Sequence, residues 1–472
     1  MPDAVGVVQR GSPSTPRSFM NPRVRSVLLV AAFGGPLWLA GQPARAEDAP
    51  ARPPTSPAAR TLTLGAAIDA ALSHNPQLAI ATESVVAADT KASADSALRL
   101  PLLAARGNVQ LWDRAIVADL GPDSGEVTIR DRVTGTVDLT VAQPLSGALV
   151  LGKLVSRDRA LSDASRAQRD ALRLDIAYQT AEAYLAALQA RTLEQVAQAT
   201  LQQLEADLQH AKILQQAGTL QRVDVLRLEV ERARVEQQRL AADTTALGAR
   251  RRLGLLLGLP DGTELALVEI DTTPPPLPFT EDEAVTRARR DRADARAAAA
   301  QSHAAELGVE VARASYYPTV SLMGVYSHAL NVASFGSAAD SAYLGVSLDW
   351  NLWDWGKRAD GARATARQVR LSQGALNDQI AVDTRARWQA ARTALATLEV
   401  AARGLAAAVE AQRLQAARFA QGAATTVEVV DAEAALASAQ AQAAIGRYQY
   451  LVAWMALGRE VGSLPAPPEA RP

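Results

Sequence analysis

The sequence has no cysteine, which excludes disulfides, thiolate metal centres and a lipid-modified N-terminal cysteine. Aromatic residues make up only 4% of the 472 positions while alanine is abundant, a balance that suits long, thinly cored helices better than a compact enzyme. No excess of one charge exists either. The formal net charge is −1 and arginines are interleaved with acids, so the chain has no basic field for nucleic acid. The four histidines, His74, His210, His303 and His328, are scattered without ligand or catalytic spacing and read as solvated-face residues. No acid, base and nucleophile cluster together, so no catalytic, cofactor-binding or metal residue is expected.

One stretch comes near to nucleotide chemistry. Gly147 is followed, after four residues, by Gly152 and Lys153, as in a phosphate-cradling loop. That loop needs a hydroxyl after the lysine to hold Mg²⁺, and position 154 is Leu.

The N-terminus carries an address. From Met20, "MNPRVRSVLLVAAFGGPLWLAGQPARA" supplies two arginines, an apolar run from Val27 to Ala40 and the small-x-small triplet Ala44-Arg45-Ala46. Residues 1–46 therefore read as a signal peptide, with Met20 a possible true start and Glu47 the first mature residue. A retained anchor is the alternative, although the run is short for a bilayer and is broken by Gly34-Gly35-Pro36. No later stretch approaches ~20 apolar residues, so no transmembrane helix is expected in the mature chain.

The mature chain is written twice. Sliding it by 217 residues sets Thr63 on Thr280, Ala67 on Ala284, Pro101 on Pro318 and Gly107 on Gly324; a shift of 204 sets Gly152-Lys153 on Gly356-Lys357, Gly218 on Gly422 and Asp224 on Glu428. The second copy of the glycine-lysine junction lacks the first glycine, so what repeats is a turn entering a helix. Residues 47–61 read as a flexible segment, 62–258 and 281–460 as the two repeats, 259–280 as a proline-rich linker and 461–472 as a flexible tail. Lys153 to Ala217 and Lys357 to Gln421 contain no proline, so each predicts a helix of ~65 residues, or ~98 Å at 1.5 Å per residue. Heptad steps such as Ala197, Leu201, Leu204, Leu208 and Ala211 predict coiled-coil packing. Shorter helices are predicted over 65–99, 223–257, 282–316 and 425–456, and "LPDGTELALVEIDTTPPPLPFT" (259–280) reads as an irregular belt around a helical cylinder.

Four segments alternate. In "YLGVSLDWNL", Leu344, Val346, Leu348, Trp350 and Leu352 share one face; in "RVTGTVDLTVAQPL", Val133, Val137, Leu139 and Val141 oppose Thr134, Thr136, Asp138 and Thr140. "RGNVQLW" and "PTVSLMGVYSH" alternate more weakly. A soluble antiparallel sheet fits this alternation too. The ~10-residue strands, the export signal and a girdle of Trp350, Trp353 and Trp355 favour a membrane barrel in contact with outer-membrane lipid, with 118–126 and 331–340 as outer turns. Four strands cannot close a barrel, so the chain must oligomerise; two copies give eight strands and three give twelve.

From about Thr61 to Glu460 the sequence resembles the TolC family of outer membrane efflux and secretion ducts, on "LTLGAAIDAALSHNP" (62–76), "YYPTVSLMGVYSH" (316–328) and "VSLDWNLWDWGK" (346–357). The resemblance implies a mainly α-helical fold with a membrane β-barrel: a homotrimer with a twelve-stranded barrel and a long coiled-coil helical tunnel through the periplasm. It implies no enzymatic activity, and docking onto an inner-membrane transporter through a periplasmic adaptor. An adaptor itself would carry one hairpin flanked by small β domains, where this chain has two hairpins. Within the family, overall likeness points to a type I toxin secretion component, which makes the transporter an ABC transporter and the cargo a secreted polypeptide; a drug-efflux channel is the alternative.

In this family the hairpin tips close the tunnel. The tips here are "QQAGTLQRVDV" and "AQGAATTVEVVDA", with Gly218 and Gly422 at the turns, where glycine tolerates a left-handed backbone. The family's pore-lining carboxylates fall on Glu428 and Asp431. Spaced i, i+3 they share a helix face, and threefold symmetry would gather six of them into a cation-attracting ring. Asp224 fits the family's linking aspartate, but the arginine and tyrosine it would meet are replaced by Ala424 and Phe419. Closure by the same bonds is not expected.

Overall fold

The structure, a computed structural model, describes residues 60–119, 126–271, 273–331, 339–350, 356–421 and 423–465. The stretch read as a signal peptide, residues 1–46, lies outside them. In chain order the first repeat holds β1 (Arg60–Leu62), α1 (Leu64–His74), α2 (Pro76–Ala97), β2 (Leu102–Leu111), β3 (Ile116–Asp119), β4 (Glu126–Arg130), β5 (Val133–Pro144), α3 (Gly147–Gln216) and α4 (Arg222–Leu256). After β6 (Leu265–Leu267) the second holds α5 (Glu281–Asp291), α6 (Ala293–Ala314), β7 (Thr319–Leu330), β8 (Asp340–Asp349), α7 (Lys357–Ala420) and α8 (Thr426–Glu460).

The long helices are as the proline-free spans predict. At 1.5 Å per residue the 70 residues of α3 span ~105 Å and the 64 of α7 ~96 Å. Helix α3 begins six residues earlier than expected, at Gly147, so both glycines of the near-phosphate motif are helical. No phosphate loop forms there. In the second copy Gly356 takes φ 71° as the N-cap of α7, a left-handed turn that only that copy needs.

Two predicted helices are split. Instead of one helix over 65–99, α1 stops at Asn75, whose extended backbone and side chain cap α2 by accepting from the N–H of Gln77 (2.8 Å) and Leu78 (3.4 Å), with Pro76 at the first helical position. The helix expected over 282–316 is split in the same place, at Arg292. Arg292 has an extended backbone (ψ 132°) and its guanidinium binds Asp294 (2.7 Å) and the buried Glu460.

Helix α3 packs on α2 and α6 along its first half and on α4 along its second, while α7 packs on α5, α6 and α8. Lys91 and Arg157 meet the buried Asp158 at the α2–α3 seam. Glu205–Arg232 (2.9 Å) and Lys212–Glu229 (3.3 Å) tie α3 to α4. The main core lies at the waist, where Leu64, Ala67, Tyr184, Leu185, Leu188, Leu253, Leu257 and Leu451 are buried. The Tyr184 hydroxyl reaches the carbonyls of Leu62 (2.8 Å) and Val268 (2.6 Å), at the ends of a parallel β1–β6 pair. This pair places a strand inside the belt read as irregular and another at the end of the segment read as flexible. Elsewhere in the belt prolines cannot donate to a ladder, and side chains take the exposed carbonyls. Tyr450 donates to Pro275, Trp454 to Pro276 (3.3 Å) and Trp388 to Phe279 (2.9 Å).

The four predicted strands form one antiparallel sheet in the order β2-β5-β7-β8. Its register aligns Leu103, Val141, Gly324 and Leu344 across all four strands. One face therefore gathers Leu103, Val109, Val137, Leu139, Leu322, Leu344 and Val346, all large hydrophobics left exposed, Leu103 at 73% and Leu344 at 77%. The other face carries Arg106, Asn108, Thr136, Asp138, Ser327 and Ser347. Among the described residues, strands β2 and β8 each have a neighbour on one side only. The turn expected at 118–126 is partly structured: β3 and β4 pair in an antiparallel ribbon, with Arg130 over the Trp112 ring at 3.7 Å. Of the expected turn at 331–340, positions 332–338 lie outside the described residues.

Candidate functional site

The site is built from the ends of four helices. Helix α3 closes in a Schellman turn: the N–H of Thr219 bonds the Leu214 carbonyl (3.0 Å), and that of Gly218, at φ 76°, bonds Gln215 (3.0 Å). A side chain at Gly218 would be strained by that backbone angle. In the second tip Ala423 N–H bonds the Arg418 carbonyl at 2.8 Å, the matching long-range bond. Gly422, between them, lies outside the described residues.

Helix α8 starts with a capping box. The Glu428 carboxylate accepts from Thr425 N–H (2.7 Å) and the Thr425 hydroxyl (3.2 Å), and Glu428 N–H donates back to that hydroxyl (3.4 Å). These Thr425 bonds, backbone first, and then the Arg418 charge hold the Glu428 carboxyl below its ordinary value, so it is an anion at neutral pH. All the described bonds fall on Oε2, which leaves Oε1 for solvent or ions. Asp431, one turn on, is exposed. It borders an apolar groove of about 470 Å³ formed with Val223, Leu226, Arg227 and Val230 of α4 and Val427 of α8.

The structure does not join the tips through Asp224. That residue sits in the first turn of α4, 3.8 Å from Arg227 of its own helix. Phe419 instead meets His210 of α3 edge-on, with ring centroids 6.4 Å apart. Arg418, which the sequence reading passed over, donates to the Ala423 carbonyl (3.2 Å) and so braces the second turn. Thr425 was legible as the start of a T-x-x-E capping signature. Of the three girdle tryptophans, Trp350 is exposed and donates to the Tyr316 carbonyl (3.1 Å); Trp353 and Trp355 lie outside the described residues.

A chain with two long coiled hairpins below a half-apolar sheet has relatives. The family model for outer membrane efflux proteins matches residues 67–259 and 284–463. Among solved structures, the outer-membrane channel OprN is 24% identical over 85% of this chain and 90% of its own, with a TM-score of 0.67. CusC is 18% identical over 85% and 92% (0.71), and the open state of the Neisseria gonorrhoeae MtrE outer membrane channel is 21% identical over 85% and 89% (0.68). No curated protein matches the chain. Both halves of the duplication fall within the family match, and the chain belongs to the outer membrane efflux protein family.

Proposed function

We propose that the chain is the outer-membrane exit duct of a tripartite type I secretion system, most like CyaE, the component that serves export of the adenylate cyclase-haemolysin cyclolysin. Three copies close a twelve-stranded barrel, and the duct conducts a polypeptide received from an inner-membrane ABC transporter through a periplasmic adaptor. The supporting observation is the sheet, with its exposed apolar face, its polar opposite face and two open edges. An open edge is a template for another copy, and an apolar face of this size is covered by lipid. A duct makes and breaks no bond. Its polar strand face offers a passing chain no apolar trap, and the anionic Glu428 and Asp431 of three copies form the cation-attracting gate ring at the tips.

A second reading, a channel of a small-molecule efflux pump, is favoured by the family's description as efflux proteins. Deletion of the gene separates the two. Loss of one large secreted protein with unchanged sensitivity to toxic compounds supports the secretion duct, and raised sensitivity with intact secretion overturns it.

A further inference from the structure

Helix α8 buries a carboxylic acid that neither the duct nor the gate ring uses. Glu433 is 7% exposed and its Oε2 has no hydrogen-bond partner. It lines a cavity of about 410 Å³ between α3, α4 and α8, whose walls mix apolar side chains, among them Val196, Leu204, Val235 and Val430, with the charged Glu231 and Arg234. Sequence spacing puts it there: Thr426, Val429 and Glu433 follow the buried stripe of α8, where a hydrophobic residue belongs. An unpaired buried carboxylate is costly, and the group avoids that cost by keeping its proton.

The surroundings add acids more than cations. On α3, Asp207 faces Glu433 and accepts from Gln203 (3.2 Å). On α4, Glu231 lines the same cavity, but its charge is already met by Arg234 at 2.9 Å. Also on α4, Arg232 is bound to Glu205 and Glu236, while on α8 Asp431 is exposed. Gly446 packs on Leu398, and the antiparallel register from that contact brings α7 past Glu433 near position 411; the flanking Glu410 and Arg413 are exposed and bonded to each other (2.7 Å). No described cation is left over for Glu433.

We propose that Glu433 is a proton-dependent latch: neutral, it lets α8 seat on α3 and α4 beneath the tips, and ionised, it drives α8 off that seat. The inference rests on the reading of the tips as the gate only for its consequence, since α8 carries Glu428 and Asp431. Burial first, then the neighbouring Asp207 carboxylate, push the Glu433 carboxyl up to about 8 from an ordinary 4.5, against a smaller opposing pull from Gln203. The seated form therefore holds its proton where a freed helix would lose it. Seating is strongest below pH 4.5, weakens by up to tenfold per pH unit from there to about 8, and levels off above. A second buried, unpartnered atom on the same face, Thr426 Oγ1, leaves this seam short of full satisfaction.

The test is amide hydrogen exchange of the full-length protein in detergent or lipid, read on residues 426–432, for wild type against Glu433→Gln at matched pH from 5 to 9. The expected result is a wild-type to variant rate ratio that climbs by up to tenfold per pH unit between pH 5 and 8 and then flattens. A ratio that stays constant overturns the latch. Asp207→Asn provides a second arm should Glu433→Gln fail to assemble: its exchange profile should level off at lower pH than wild type, and an identical profile also overturns the proposal. Exchange is read on the helix itself, so a failure of the duct to secrete leaves either outcome unaffected.

Discussion

Leu139 and Thr140 are neighbours on β5 that face opposite ways, and an arginine at each separates the two readings of the sheet. Leu139 is paired with Ala105 and Tyr326, near the middle of the 12-residue β5, and is 45% exposed among other hydrophobics. With strands tilted as in membrane barrels, the middle of such a strand lies at the bilayer midplane, where an arginine on the lipid face costs about 2–4 kcal/mol. That is roughly a 30- to 700-fold loss in the folded-to-unfolded ratio per chain. Thr140→Arg, one residue on, projects from the polar face beside Arg106 and Asp138 and should cost about 0.5 kcal/mol or less, as surface changes do. The assay is denaturant-dependent folding into lipid vesicles, followed by heat-modifiable migration, for wild type and both variants. The expected order is wild type close to Thr140→Arg, with Leu139→Arg far less stable. Equal, small costs would mean a water-exposed sheet, and the reverse order would turn the sheet inside out; either refutes the reasoning.

Three further outcomes follow from the helices. Glu428→Gln with Asp431→Asn keeps an acceptor for the Thr425 cap while removing both charges, and should weaken divalent-cation block of single-channel current in planar bilayers; unchanged block would move both side chains out of the pore. Phe419→Ala removes the edge contact with His210, worth about 0.5–1.5 kcal/mol, and should raise resting conductance in the same bilayers, whereas an unchanged level would assign closure to other contacts. Burial would raise Asp158, but hydrogen bonding with Asp95 and then its bonds to Lys91 and Arg157 outweigh burial and hold its carboxyl at about 2. A depressed carboxyl contributes stability that is present above about pH 4 and is lost as pH falls toward 2. Lys91→Met should cost about 1–2 kcal/mol at neutral pH, less than a fully buried pair because Lys91 is half exposed and Arg157 remains, and should flatten acid unfolding between pH 4 and 2.

The elements legible in the sequence are those whose signal is long. A span of some 65 residues that lacks proline and repeats apolar residues at heptad spacing predicts one long helix, and strict alternation over β5 and β8 fixes which face each side chain takes. What escaped was decided by single contacts. The helix break at Asn75-Pro76 carries a capping asparagine and a proline and could have been read. Its partner at Arg292 carries neither, because that break is held by Asp294 and Glu460, the latter 168 positions away. Strand β6 is three residues long and forms only because β1, some 200 positions earlier, lies beside it. At the tips Gly218 was legible and the T-x-x-E cap carries a signal that the sequence reading did not use, whereas the Phe419–His210 contact depends on how two separate hairpins pack.

The duplicated chain is therefore not a duplicated machine. Its first hairpin is cross-linked along its length by Glu194–Arg250, Glu205–Arg232 and Lys212–Glu229, each joining α3 to α4. The second meets through small residues, with Gly446 of α8 against Leu398 and Ala401 of α7. Ion pairs between exposed side chains add little stability individually, so the two hairpins differ in the chemistry of their seams more than in the extent of their packing. Helix α8 packs chiefly on α7 and in addition meets the first hairpin, through Val430 on the Leu201–Leu208 cluster and Glu433 in the cavity beside it. One copy of the repeat supplies a rigid wall, and the other supplies an element whose position a single proton on Glu433 can bias.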